Sequence, residues 1–125
     1  MPHLAVNGTL MRGLELNANL TDAGATFVSE VHTSPHYRLW SIGDRHPAMM
    51  RDPQLGAEIH LEIWDVPPEG LVTVLLQEPP GLCIGRITLS DGSEVLGVLG
   101  EPWLCESHPE ITRWGGWRSY IASLS

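Results

Sequence analysis

The stretch Leu82-Cys83-Ile84-Gly85-Arg86-Ile87-Thr88-Leu89-Ser90-Asp91-Gly92-Ser93-Glu94-Val95-Leu96-Gly97-Val98-Leu99 decides the fold class. Two runs rich in Ile, Val and Leu flank Ser90-Asp91-Gly92-Ser93, and Asp-Gly between such runs predicts a hairpin with a type I′ turn. Toward the N-terminus, residues 58–65 alternate, with Ile59, Leu61 and Ile63 facing a core and Glu58, His60 and Glu62 facing water. Leu4-Ala5-Val6 reads as a short apolar strand entering the turn residues Asn7-Gly8-Thr9. Residues 25–33 and 37–42 read as two more strands around Ser34-Pro35. Helical signals are sparser. Pro67-Pro68-Glu69 followed by residues 70–76 reads as a proline-started helix with an acid in its first turn, although its Val and Thr content suits a strand equally. Pro79-Pro80-Gly81 ends it in either case. Residues 116–124 form a short closing helix with Trp117, Ile121 and Leu124 on one side. Two short helices against six or seven strands predict an α+β fold dominated by a mixed sheet.

Composition bounds the function. With 125 residues, 13 Gly, 10 Pro and 42% apolar positions, the chain is expected to form one domain, residues 1–125, that carries its own core. It has no lysine; seven arginines face fifteen carboxylates, a net charge of −8. Binding of nucleic acid needs a basic face, and none is on offer. The longest apolar run, residues 71–76, is interrupted by Thr73 and cannot span a bilayer. The opening Met1-Pro2-His3-Leu4-Ala5-Val6 lacks the features of a signal peptide, so a cytoplasmic protein is expected. Cys83 and Cys105 form no CxxC pair, which excludes a disulfide framework and the usual zinc spacings. His32 and His36 straddle Pro35, so they do not share a helical face. We expect neither a metal site nor a cofactor.

Four features carry candidate chemistry, each beside a plainer reading. A small-residue turn after a strand, Asn7-Gly8-Thr9-Leu10, leaves backbone N–H groups free for a carboxylate or oxyanion, or is an ordinary turn. Glu78, fixed by Pro79-Pro80 beside the apolar Leu75, Leu76 and Leu82, suits a general acid or base with a raised pKa; otherwise it is a solvated acid at a helix end. The arginines Arg12, Arg38, Arg45 and Arg51 give bidentate carboxylate recognition or simply balance surface acids. Trp114-Gly115-Gly116-Trp117 reads as a tight turn with a structural role, at least one indole closing the core.

The ordered set Asn7-Gly8-Thr9-Leu10-Met11-Arg12-Gly13, Leu16-Asn17 with Leu20 and Gly24-Ala25, Tyr37-Arg38-Leu39-Trp40, Glu62-x-Trp64, Glu78-Pro79-Pro80 with Gly85 and Asp91-Gly92, and Ile111-Thr112 with Gly115-Gly116-Trp117-Arg118-x-Tyr120 resembles the C-terminal domain of allophanate hydrolases. Closer still are stand-alone relatives of that domain in the gamma-glutamylcyclotransferase-like superfamily. The resemblance implies a small mixed β-barrel with flanking short helices and a pocket at one mouth. In cyclotransferases a Tyr-Gly-Ser-Leu loop binds substrate through backbone donors, and Asn7-Gly8-Thr9-Leu10 looks like its counterpart, with Asn7 where the tyrosine would be. Their catalytic Glu corresponds in position to Glu78, here followed by Pro79 instead of glycine. Allophanate hydrolase domains carry a His in the first loop that Leu10 replaces.

These implied roles make Glu78 the catalytic candidate and Asn7, Gly8, Thr9, Leu10, Arg12, Tyr37, Arg38 and Arg51 the substrate-binding candidates. The implied function is an accessory enzyme acting on a small anionic carboxyamide or carbamate, resembling N-carboxycarbamate, beside a separate amidase. A non-catalytic binding or assembly module for an amidase and a cyclotransferase using Glu78 are the alternatives. Apolar surface around five tryptophans also suggests a homodimer.

Overall fold

The computed structural model describes residues 2–125. Its strands are β1 (His3–Val6), β2 (Thr26–His32), β3 (Tyr37–Ile42), β4 (His46–Arg51), β5 (His60–Asp65), β6 (Leu82–Thr88) and β7 (Glu94–Gly100). The helices are α1 (Asn17–Asp22), α2 (Pro68–Gln77), α3 (Pro102–Cys105) and α4 (Trp117–Ser123), with a 3-10 turn at Thr112–Trp114. The expected α+β class holds. None of these helices is long and apolar enough to cross a membrane.

Five strands form one sheet in the order β2-β5-β1-β7-β6, and β3 pairs with β4 in a second, two-stranded sheet. The sheet is mixed because β1 runs antiparallel to β5 but parallel to β7. β1 sits at its centre, and Leu4, Ala5 and Val6 are at most 1% exposed, as a short all-apolar strand covered on both faces must be. The barrel is not closed by a continuous ladder. Among the described residues the edges β2 and β6 are joined just past their ends by the isolated bridge Thr33↔Leu89, where the Ser34 N–H donates to Thr88 O at 3.0 Å and the Ser90 N–H to His32 O at 2.9 Å.

Several local expectations are corrected. The β6–β7 hairpin forms, but Gly92 alone has a positive φ, +86°, and the Leu89 N–H donates to Ser93 O across a three-residue loop. That is the wider hairpin with a left-handed glycine in third place, because Asp91 stays out of the left-handed region and instead caps the Ser93 N–H at 2.9 Å. Two consecutive positive φ values occur between β3 and β4, at Gly43 (+62°) and Asp44 (+55°). β4, which contains Pro47, adds a strand to those named from the sequence; its place in a two-stranded sheet beside β3 alone lets a proline in. Residues 68–77 resolve to helix, with Pro68 in the first turn. α4 buries Trp117 and Tyr120, whereas Leu124 falls beyond its last turn and is 54% exposed.

The largest departure concerns β5. Its Glu62 face is not wet: Glu62 is fully buried. The carboxylate accepts from the Arg12 N–H at 2.9 Å, Arg118 Nη2 at 2.9 Å and Trp64 Nε1 at 3.2 Å. Burial pushes its pKa up, but these hydrogen bonds outweigh burial and hold it below the usual carboxylate range.

Candidate functional site

β1 ends at Val6, and the next four residues turn across the end of the sheet. Asn7 is buried and donates through Nδ2 to Val98 O on β7 at 3.1 Å, tying the start of the turn to the sheet. The turn is closed by the Met11 N–H on Gly8 O at 2.9 Å, and its far side is held by the Leu16 N–H on Thr9 O and by Asn17 Nδ2 on Leu10 O at 2.8 Å. Among the described residues, the backbone N–H groups of Gly8, Thr9 and Leu10 donate to no protein acceptor. A Cβ on Gly8 would run into the Pro47 ring of β4. The glycine therefore lets this turn and β4 approach, a reason of contact and not of φ.

The turn and β4 enclose a cavity of about 180 Å³, lined further by Glu15, Leu16, Arg45, His46, Glu78, Pro79, Leu82 and Val98. α2 ends at Gln77, and Glu78 takes an extended conformation as its C-cap, ahead of Pro79. Two prolines forbid continuation of the helix, so the Glu78 side chain is delivered to the cavity wall. Among the described residues its carboxyl has no ion-pair partner. Burial raises its pKa to about 7. Its apolar surroundings are not those expected: Leu75 and Leu76 are 42% and 80% exposed, while Leu82 shares the cavity lining with it.

The turn 7–10 and Glu78 thus face one cavity. Arg12, Tyr37, Arg38 and Arg51, expected as substrate-binding residues, lie outside its lining because each is committed elsewhere. Arg12 pairs with Glu62 and Glu30 and lies over the Phe27 ring at 3.7 Å. Arg38 bridges Asp52 at 3.2 Å and Glu110 at 2.6 Å. Tyr37 is fully buried, and its hydroxyl accepts from Arg51 Nε at 3.0 Å and from the Thr88 N–H at 2.9 Å. The arginine that does reach the cavity is Arg45, which is exposed and has no ion-pair or side-chain hydrogen-bond partner among the described residues. Arg45 is thus the one member of the sequence-marked arginine set Arg12, Arg38, Arg45 and Arg51 that lines the cavity, while His46 and Glu15 are lining residues with titratable side chains that carried no signal of their own in the sequence. The Gly43-Asp44 dipeptide just before Arg45 is the signal of the turn that puts Arg45 and His46 there. Among the described residues no group of three or more His, Cys, Asp or Glu is placed to hold a metal ion.

Residues 2–122 match the model of the allophanate hydrolase C-terminal domain. The chain belongs to that family. The chain is 29% identical to part of the urea amidolyase of Lachancea kluyveri, over 97% of this chain but only 7% of that protein. The Kluyveromyces lactis allophanate hydrolase contains a domain that superposes with a TM-score of 0.93 at 29% identity, over 99% of this chain and 21% of that one. A uropathogenic E. coli-specific protein superposes at 0.95 with 56% identity, covering 97% of this chain and 95% of its own. An AIG2-like protein of Mus musculus, 20% identical, shares the gamma-glutamylcyclotransferase-like fold at a TM-score of 0.66.

Proposed function

We propose that the cavity between the turn 7–10 and Glu78 binds a small anionic carboxyamide or carbamate and that Glu78 exchanges a proton with it. The observation that carries this reading is a carboxyl raised to about 7 by burial in the same cavity as three uncommitted backbone donors and an unpaired arginine. A raised carboxyl keeps its proton near neutral pH and can give it away. The N–H groups of Gly8, Thr9 and Leu10 and the guanidinium of Arg45 supply donors for carboxylate oxygens. With an N-carboxycarbamate-like dianion, Glu78 gives its proton to the nitrogen as the C–N bond breaks and carbon dioxide leaves. Carbamate remains, and the Glu78 carboxylate recovers a proton from water. In this reading an amidase supplies the substrate.

A second reading, a non-catalytic module that docks on an amidase, is favoured by the place of the matching domain in the relatives, where it is a small part of a much larger protein. Leu10, in place of a histidine, leaves that loop without a side-chain proton donor. The two readings part in one experiment: the purified chain alone is incubated with γ-glutamyl and N-carboxy compounds, and carbon dioxide or cyclised product is measured. Turnover by the wild type that Glu78→Gln lacks supports the enzyme. Turnover equal in both removes Glu78 from the chemistry, and no turnover by either leaves the docking module in front.

A further inference from the structure

Among the described residues Arg45 is exposed and unpaired, yet the turn that precedes it is tied down on both sides. Asp44, directly before it, holds φ at +55°, a left-handed conformation reached otherwise only by glycines among the described residues. The Arg45 N–H closes the turn on Ile42 O at 3.1 Å. Asp44 is held from two sides: Ser41 Oγ on β3 and the Tyr120 hydroxyl on α4 both donate to Asp44 Oδ1 at 2.6 Å. The Asp44 N–H in turn donates to Ser41 Oγ at 3.1 Å. Tyr120 itself has little freedom, packed edge-on against Trp114 with centroids 5.1 Å apart and tilted against Trp117 at 5.8 Å. The aromatic cluster around α4 therefore reaches through one hydroxyl to the turn that carries Arg45 and His46 into the cavity.

We propose that Tyr120, acting through Asp44, is a positioning residue for Arg45 and so sets the affinity of the cavity for a carboxylate. This rests on the reading of the cavity as an anion site. Without the Tyr120 hydroxyl, Asp44 keeps only Ser41, and the two-residue left-handed turn loses the tie that fixes its orientation against α4. Among the described residues Arg45 has no side-chain partner to hold it, so the loss passes directly to its guanidinium. Tyr120 is not among the residues lining the cavity, so any effect it has on binding must travel along this route.

Malonate, a stable isostere of an N-carboxycarbamate dianion, is the probe. It is titrated calorimetrically into the wild type, Tyr120→Phe, Asp44→Gly, Asp44→Asn, Arg45→Ala and the Tyr120→Phe/Arg45→Ala double variant. Tyr120→Phe and Asp44→Gly are expected to weaken malonate roughly fivefold to tenfold, the worth of one hydrogen bond. Asp44→Gly keeps the left-handed backbone accessible and so separates loss of the tie from misfolding. Asp44→Asn retains an acceptor oxygen and should bind close to wild type. In the Arg45→Ala background, Tyr120→Phe should change nothing. Wild-type affinity in Tyr120→Phe, or the same loss with and without Arg45, overturns the positioning role while leaving the anion site standing. Equal binding by wild type and Arg45→Ala, or no uptake by the wild type, overturns the anion site and this inference with it.

Discussion

Glu78 and Glu62 show how far a single carboxylate can be read from its neighbours in sequence. Both belong to segments with apolar residues close by, and both are removed from bulk water, but their surroundings drive them in opposite directions. Glu78 meets apolar wall without a compensating donor and is raised; Glu62 meets three N–H donors besides its ion pair with the Arg12 side chain and is lowered. Glu78→Gln keeps the shape and removes the transferable proton, so turnover on any accepted substrate should fall by roughly 10²–10⁴-fold while malonate affinity stays close to wild type. Steady-state kinetics with both proteins checks this. Glu62→Ala should be far more harmful to the fold, by about 3–5 kcal/mol, because it strands the Arg12 and Arg118 guanidiniums and the Trp64 N–H around an empty site; urea unfolding of the variant measures it. The proline pair after Glu78 made that residue legible. Glu62 was not legible, since alternation reports which face of a strand a residue takes and cannot report that Arg12 and Arg118, from distant segments, cover the face.

At the scale of elements, what the sequence marked well were strands with runs of β-formers and helices begun or ended by proline. What it hid were elements stabilised by others. α1 is six residues without a side-chain cap, formed because Leu20 enters the core and Asn17 ties back to Leu10 O. β4 contains a proline and is recognisable only beside β3. The cavity suffered in the same way, since its wall at Arg45, His46 and Pro47 comes from the hidden strand and its turn, while the wall from β1 and α2 was visible. The Trp114–Trp117 turn divides its demands between two glycines. Gly115 holds φ at +75° with open space around it, whereas Gly116 is extended and a Cβ there would meet His60 Cβ at 3.0 Å. Gly116→Val should therefore cost about 1–3 kcal/mol through crowding against β5, and Gly115→Ala about 1 kcal/mol through backbone strain. Thermal melts distinguish the two if Gly116→Ala, with one methyl, falls between wild type and Gly116→Val.

On the scale of the whole molecule, the sheet is a barrel closed at a single point, and the closure leans on Tyr37. Its hydroxyl accepts from Arg51 on β4 and from the Thr88 N–H at the end of β6, next to the Thr33↔Leu89 bridge, so it joins the small sheet to an edge of the large one. Tyr37→Phe takes the acceptor away from the half-buried Thr88 N–H, while the exposed Arg51 keeps Arg86 O, and should cost about 1 kcal/mol, with amide exchange speeding first at Thr88 and Ser34. The pH dependence of stability is also a property of the whole chain, and its two limbs have different owners. Glu30, Asp44, Asp52, Asp91 and Glu110 are held below the usual range, chiefly by hydrogen bonds from His60, Ser41, the Leu55 N–H, Ser93 and Arg38 respectively. Their contribution is present above the ordinary carboxylate range and is lost as pH falls through their lowered values. Glu78 works with the opposite sign. Its folded-state pKa is about 7 against an ordinary 4.5, so between those values the native state binds the extra proton and stability declines as pH rises. The full shift would be worth about 3 kcal/mol, and water reaching the cavity reduces that to on the order of 2 kcal/mol. Glu78→Gln removes this limb alone. Its melting temperature should match the wild type near pH 4.5 and exceed it by several degrees at pH 8. Parallel melting curves across that range would show that the Glu78 carboxyl is solvated, and would take away the proton on which the proposed chemistry depends.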